Sequence, residues 1–190
     1  DHPLLSPRGA LSLTVDDPEG VADRLLRDAT SEHPIEEISM ERARALCPTL
    51  RPGIFRRALY EPGVTDMDAA GIHQGFLRGL KARNGKLVLS AEVQGLERGA
   101  GMWTVTTRAG TFRAPIVVNA AGAWADRLGQ SAGAQRLGLQ PKLRTAILVE
   151  APPEFCGPGV PVADVLDTWA YFKPEAGRIM ASPGDETPVE

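Results

Sequence analysis

An uninterrupted apolar run, Pro115-Ile116-Val117-Val118, leads straight into Asn119-Ala120-Ala121-Gly122, and no other segment constrains the fold as strongly. Four residues without polar alternation predict a strand buried on both faces, as in a parallel sheet covered by helices. The small residues then turn the chain into a helix predicted over residues 123–132. Small side chains at the carboxyl end of such a strand let a ligand's backbone approach closely, and the following helix N-terminus favours negative charge. A tight strand–turn–helix with no ligand would use the same residues equally well.

Composition removes several classes of function. The chain has 190 residues, of which 43% are hydrophobic and 24% charged. Its 21 Lys and Arg are outnumbered by 24 Asp and Glu, for a net charge of −3, so no basic arm for nucleic acid is present. No apolar run approaches the roughly 20 residues that a membrane span requires. Two cysteines, Cys47 and Cys156, have no CxxC spacing and are too few for a disulfide framework. They read as reduced, partly buried thiols of a cytoplasmic protein. The chain opens on Asp1-His2-Pro3 and stops in the loop-like residues 185–190, so both ends read as cut and the length as that of a piece.

Alternation over residues 9–15 predicts a strand. Asp17 is then expected to cap a helix with Pro18 in its first turn and Val21, Leu25, Leu26 and Ala29 as its apolar stripe. A second short helix is predicted over residues 39–46, stopped by Pro48. Thr65 or Asp66 is expected to cap a helix reaching residue 83, with Ala69, Ile72, His73, Phe76, Leu77 and Leu80 on one face. Gly85 is expected to supply the left-handed residue that ends it. Strands follow over residues 86–90, 92–97 and 102–107, the last two forming a hairpin that residues 111–113 extend into a meander. Beyond the small-residue turn, residues 142–150 read as one long strand and residues 151–161 as a rigid loop. Residues 169–173 and 178–181 read as a hairpin turning at residues 174–177.

Most chemical signatures are missing. There is no GxSxG elbow, no GxxxxGK[ST] loop and no GxGxxG after a strand, Gly99-Ala100-Gly101 being part of a hairpin. His2, His33 and His73 lie far apart without metal-ligand spacing, so no metal site is expected. His73, on the apolar stripe, reads as a structural histidine, and Asp66 and Asp68 as helix caps. No side chain is assigned a catalytic role.

Several blocks carry a resemblance when taken in order. They are Gly63-Val64-Thr65-Asp66 with its helix, Ala91-Glu92-Val93, Trp103-Thr104-Val105-Thr106, and Val117-Val118-Asn119-Ala120-Ala121-Gly122-Ala123-Trp124. Tyr171-Phe172-Lys173-Pro174 and Gly177-Arg178 to Gly184 add weaker support. Across essentially the whole chain, this pattern resembles FAD-dependent oxidoreductases of the D-amino-acid oxidase, glycine oxidase and sarcosine oxidase superfamily.

The resemblance implies a mixed α+β and α/β fold. Residues 62–137 would be the central part of a Rossmann-like FAD-binding domain with a β-meander. Residues 1–61 and 138–190 would be two parts of an antiparallel-sheet substrate-binding domain. It further implies that the Val93 backbone meets the adenine ring, that Ala120, Ala121 and Gly122 lie beside the adenosine and pyrophosphate, and that Trp124 packs behind them. Tyr171 would hold a substrate carboxylate over the flavin. Lys173 and Arg144 are candidates for the same carboxylate, or solvated cations on strands. The family's GxGxxG turn would lie before residue 1 and its flavin-covering segment after residue 190, so the 190-residue chain alone is expected to bind FAD weakly or not at all. The implied activity is oxidation of an amine or amino acid by hydride transfer to flavin. The alternatives are a hydroxy-acid oxidase of the 2-hydroxyglutarate or glycerol 3-phosphate type, or a non-catalytic fragment. The implied partner is a small molecule rather than nucleic acid, and the implied compartment is cytoplasmic, with a membrane-peripheral placement the alternative.

Overall fold

Strands dominate the chain, and what they pair with decides where each functional residue points. The computed structural model describes residues 3–157 and 159–189; His2 and Pro158 of the loop lie outside them. In chain order the elements are β1 (Leu5–Pro7), β2 (Ala10–Thr14), α1 (Val21–Asp28), β3 (Glu36–Ile38), α2 (Met40–Leu46), β4 (Arg57–Glu61), β5 (Thr65–Met67) and α3 (Ala69–Ala82). Next come β6 (Val93–Gly99), β7 (Met102–Thr107), β8 (Gly110–Ala114), a single 3-10 turn (Gly122–Trp124), α4 (Ala125–Ser131) and β9 (Lys142–Leu143). The last are β10 (Ile147–Val149), β11 (Val162–Val165), β12 (Ala170–Glu175), β13 (Arg178–Ser182) and β14 (Thr187–Pro188). The contacts divide into two units, residues up to 72 with 144–186, and residues 73–143 with those from 187 onward. The fold class is mixed α/β.

The first unit is built on a seven-stranded sheet in the order β10-β13-β12-β11-β2-β4-β3. All its pairings are antiparallel except that of β2 with β11, which sets Leu11 beside Ala163 and Ser12 beside Asp164. Period-2 alternation sorts the two faces. Leu11, Leu13, Ala58 and Ala163 are fully buried on one face, with Cys47, Leu50 and Val160 over them and Phe172 at the margin. On the other face Leu59 and Leu166 pack under Ala22, Val21 and Leu25 of α1. That second face also carries Ser12, Asp164, Tyr171 and Lys173, so its centre is polar.

Several local expectations are corrected by what the backbone amides reach. Helix α1 starts at Val21, after Gly20 in the left-handed region (φ 62°), so Asp17 is not its N-cap residue. Asp17 nevertheless caps from a distance, its carboxylate accepting from the N–H groups of Val21 (2.7 Å) and Ala22 (3.1 Å). Helix α2 follows the expected form, with Ser39 Oγ accepting from the Arg42 N–H. Thr65 and Asp66 belong to β5, paired with β1, and Asp68 caps α3 by accepting from the Gly71 N–H at 2.8 Å. Asn84, not Gly85, takes the left-handed conformation at the helix end (φ 60°), while the Gly85 N–H reaches back to the Leu80 carbonyl at 2.9 Å. No residue of α3 is buried, and His73 is exposed rather than a core histidine.

Residues 86–90 form no strand. Residues 142–150 divide into β9 and β10 because Thr145 leaves the ladder, its N–H and hydroxyl both bonded to the Asp185 carboxylate (2.7 and 2.6 Å). Residues 162–165, next to the expected loop, form β11. The late hairpin turns at Ala176 and Gly177 (φ 50° and 76°), leaving Pro174 and Glu175 in β12. The largest departure is the apolar run: residues 115–118 pair with no strand among the described residues, and Ile116 and Val118 are 77% and 81% exposed. A strand buried on both faces needs ladder partners on both edges, which none of the described residues supplies.

The second unit contains the meander β6-β7-β8 and the short pair β9 with β14. Asp126 of α4 accepts from the N–H groups of Leu137, Gly138 and Leu139, each at 2.9 Å, which fastens residues 137–139 to the helix.

Asp167, just past β11, holds the other end of β2: its carboxylate accepts from the N–H groups of Val15 (2.7 Å), Asp16 (3.1 Å) and Asp17 (2.6 Å). Those bonds, that to Val15 foremost, hold its carboxyl below the usual aspartate range. Folding therefore favours the ionised form, a contribution present above the ordinary aspartate pKa of about 4 and lost as pH falls through the depressed value. Asp167→Ala is expected to lower Tm by about 3–6 °C at neutral pH. Thermal melts across pH should show that gap close below about pH 4; a gap independent of pH would contradict the assignment.

Candidate functional site

Two clefts gather the residues that the sequence singles out, one in each unit. The first starts from the turn after residue 118. Asn119 fixes that turn at both ends: Oδ1 accepts from the Ala121 N–H (3.2 Å) and Nδ2 donates to the Ala125 carbonyl (2.8 Å). Gly122 follows with φ 55°, where an added Cβ would meet no atom within 4 Å. Backbone conformation rather than space therefore calls for glycine there. Opposite, β6 enters with a bulge: the register passes from Val93 to Gly95, so Gln94 has no ladder partner.

Between these segments lies a cleft of about 640 Å³, lined by Val93, Gln94, Ala121, Trp124, Arg127 and Leu128, with a Glu92–Arg108 ion pair (2.6 Å) at its wall. Val93, Ala121 and Trp124 thus come together as candidates. Ala120 and Gly122 shape the same turn without lining the cleft. Trp124 is 63% exposed and forms a wall of the cleft instead of packing behind the turn. Helix α4 has seven residues and is entered through a 3-10 turn, and its Arg127 and Leu128 line the cleft together with the small-residue turn. The residues fit the adenosine end of a dinucleotide. Val93, Trp124 and Leu128 offer apolar walls, Ala121 projects nothing beyond Cβ, and the Arg127 guanidinium has no ion pair among the described residues to compete with a phosphate.

The second cleft, about 690 Å³, lies on the polar face of the large sheet and is lined by Arg144, Asp164, Trp169, Tyr171, Gly184 and Glu186. Arg144 and Tyr171 meet here; Arg144 Nη2 lies 3.3 Å from Glu186 Oε1. Lys173 does not reach the cleft lining. Its Nζ lies 2.8 Å from Glu175 and 3.3 Å from Asp66. Burial works against the lysine's charge, but those two carboxylates outweigh it and hold its pKa above the usual range. Asp66 in turn binds the Arg8 guanidinium through Nε (2.7 Å) and Nη2, and this pairing with Lys173 overcomes burial to keep its carboxyl below the ordinary value.

Asp164 and Trp169 are functional candidates that the sequence reading missed. Asp164 sits on β11, a stretch just past the expected loop where no element is expected from the sequence; β-branched Val162 and Val165 were the available signal. Burial pushes its carboxyl up, against a hydrogen bond from Ser12 Oγ at 3.2 Å. Trp169 has φ 59°, a strained conformation for an aromatic residue, held by its N–H on the Val165 carbonyl (2.8 Å). The chain passes so close that a Cβ on Gly184 would lie 2.3 Å from the Trp169 carbonyl oxygen.

Comparison with known proteins agrees with this architecture. The profile of the DAO family, described as FAD dependent oxidoreductase, matches residues 1–189. The mitochondrial dimethylglycine dehydrogenase of Mus musculus is 33% identical over 107 residues, 55% of this chain and 12% of that protein. Glycine oxidase from Geobacillus kaustophilus superposes with a TM-score of 0.79 at 24% identity, covering 98% of this chain and 50% of that one. L-alpha-glycerophosphate oxidase from Mycoplasma pneumoniae, solved with FAD bound, gives 0.78 at 17% identity, covering 97% and 50%. The chain thus spans about half the length of these solved relatives and about an eighth of the curated one.

Gly184→Ala combines a left-handed backbone (φ 72°) with a backbone clash. It is expected to cost about 2 kcal/mol or more and to move Trp169. Denaturation together with tryptophan emission measures both, and unchanged emission with unchanged stability would contradict the close approach.

Proposed function

The chain belongs to the DAO family of FAD-dependent oxidoreductases, and from that premise we propose that the protein oxidises an amine or amino acid with FAD as its cofactor. The observation that carries the reading is the first cleft, where Val93, Ala121 and Trp124 form an apolar lining with a guanidinium beside it. Bound FAD supplies the redox chemistry, acceptance of hydride from the carbon that bears the amine.

The chain's own residues hold and orient. Val93, Ala120, Ala121, Gly122 and Trp124 are assigned to the adenosine and pyrophosphate, with Asn119 keeping their turn in place. Arg144 and Tyr171 are assigned to the substrate carboxylate. Lys173 is assigned instead to the ion-pair network of Arg8, Asp66 and Glu175, because both of its carboxylate partners are within 3.3 Å. On this reading residues 62–137 serve the cofactor and residues 1–61 and 138–190 serve the substrate. The contacts also divide the chain into two such units but at shifted bounds, within α3, between residues 143 and 144 and after residue 186, so that residues 62–72 group with the first unit and 138–143 with the second. Orientation and exclusion of water are the contributions such residues make to hydride transfer, and no strong acid or base is needed among them.

No helix of the described residues is long and apolar enough to cross a membrane. Cys47 and Cys156 are free thiols, and burial pushes the Cys47 thiol up, which keeps it protonated and unreactive. The free thiols support a reducing compartment such as the cytoplasm.

The test uses the full-length protein that carries this chain. It should purify yellow, and an amine or amino acid should bleach the flavin anaerobically where 2-hydroxyglutarate and glycerol 3-phosphate do not. Bleaching by a hydroxy compound alone would move the substrate class to the hydroxy-acid side. Ala121→Arg, which fills the cleft, is expected to lower flavin content at least about tenfold with the fold retained. Full flavin occupancy in that variant would overturn the placement of the cofactor site.

A further inference from the structure

The second cleft carries charges that do not balance. Arg144 and Glu186 face each other at 3.3 Å, whereas Asp164 has no cationic partner among the described residues. Its one side-chain hydrogen-bond partner among the described residues is the Ser12 hydroxyl, which donates to Oδ1 at 3.2 Å. Asp164 is half-buried and sits on β11 between β2 and β12, directly across the ladder from Tyr171. A carboxylate out of full contact with water and without a cation is costly, and neutral donors, here the Ser12 hydroxyl and its own backbone N–H, offset only part of that cost. The direction of its titration, pushed up by burial, agrees with an uncompensated charge.

We propose that Asp164 is the specificity-determining carboxylate of this cleft: it accepts from the ammonium of a small amino acid, and so selects amines over hydroxy acids of the same shape. The inference rests on the reading of this cleft as the substrate site and deepens it.

Three features support the assignment beyond the missing partner. The Arg144 guanidinium contacts Glu186 through Nη2, and five N–H donors leave others for a substrate carboxylate. A cation at one wall and an anion at another match the two ends of a zwitterion, while a hydroxy acid presents only the anionic end. The third feature is Trp169. Its ring is 66% exposed at the same cleft, and an aromatic face beside a carboxylate suits an ammonium, including an N-methylated one. Asp164 is also on a strand within the sheet, where its position is set by ladder hydrogen bonds on both sides. A hydroxyl in place of the ammonium can still donate a hydrogen bond but leaves the charge unpaired.

The experiment is calorimetric binding to the full-length protein, with glycine, N-methylglycine and N,N-dimethylglycine as amine probes and glycolate as the hydroxy-acid probe. Asp164→Asn keeps size and the acceptor for Ser12 while removing the charge. It is expected to weaken binding of the amine that binds wild type by about tenfold or more and to change glycolate binding less than about threefold. Asp164→Ser is a second neutral variant and should show the same selective loss, whereas Asp164→Glu should retain the preference for the amine. Equal weakening of amine and glycolate, or no change for either, would overturn the role of Asp164 while leaving the amine-oxidising function standing. Wild type that binds none of the three amines would overturn both.

Discussion

The parallel pairing of β2 with β11 is the contact on which the first unit depends. It joins residues about 150 positions apart, Ala10 to Leu13 with Val162 to Val165, and no other ladder links the two halves of the seven-stranded sheet. Closing so long a loop costs chain entropy, although the cost rises only with the logarithm of its length. Side chains reinforce both ends of the ladder. Arg8 Nη1 donates to the Val160 carbonyl at 2.9 Å, and Asp167 collects the amides of residues 15–17. Were the pairing lost, β2 and β11 would each become an exposed edge, and Ser12, Asp164 and Tyr171 would no longer share a face.

The charges of the same unit divide into two groups with different consequences. Arg8, Asp66, Lys173 and Glu175 form a continuous chain of pairs that ties β5 to β12 and to the turn after β1. A partly buried network of this kind adds little net stability, since desolvation opposes the attraction, but it fixes where its members lie. Lys173 is thereby committed to structure. Arg144, Asp164 and Glu186 surround an open cleft instead, and only one pair among them is made internally. Two cations that look alike in sequence, Arg144 between β9 and β10 and Lys173 on β12, therefore lie in different surroundings, set by the carboxylates nearest to each.

In the second unit the small-residue turn is a local structure. Asn119 bonds and the positive φ of Gly122 shape the turn without a ladder partner, and the bulge at Gln94 of β6 shapes the opposite wall of the cleft. The apolar run before it is different: Ile116 and Val118 gain nothing from burial unless a sheet receives them on either side. Phe76 of α3 is in the same position at 76% exposure. Their side chains carry the signal of a buried environment, and the described residues do not provide one.

Patterns that depend on near neighbours were readable in the residues themselves. The meander over β6-β7-β8, the short helix that begins at Ser39 and the small-residue turn at 119–122 follow from alternation, helix-breaking prolines and small-residue spacing, whereas the grouping of Val93 with Ala121 and Trp124 was implied by the family resemblance. Tyr171 was named through the same resemblance and Arg144 as one of two candidate cations, and the two line one cleft. The tertiary structure decided the rest. Whether Thr65-Asp66 would start a helix or pair with β1 depended on residues sixty positions away. Whether Lys173 or Asp164 would face the cleft depended on which charges the fold brought beside each. A ladder partner, an ion-pair partner and a left-handed glycine packed against a tryptophan carbonyl are relations between distant segments, and local propensity carries no record of them.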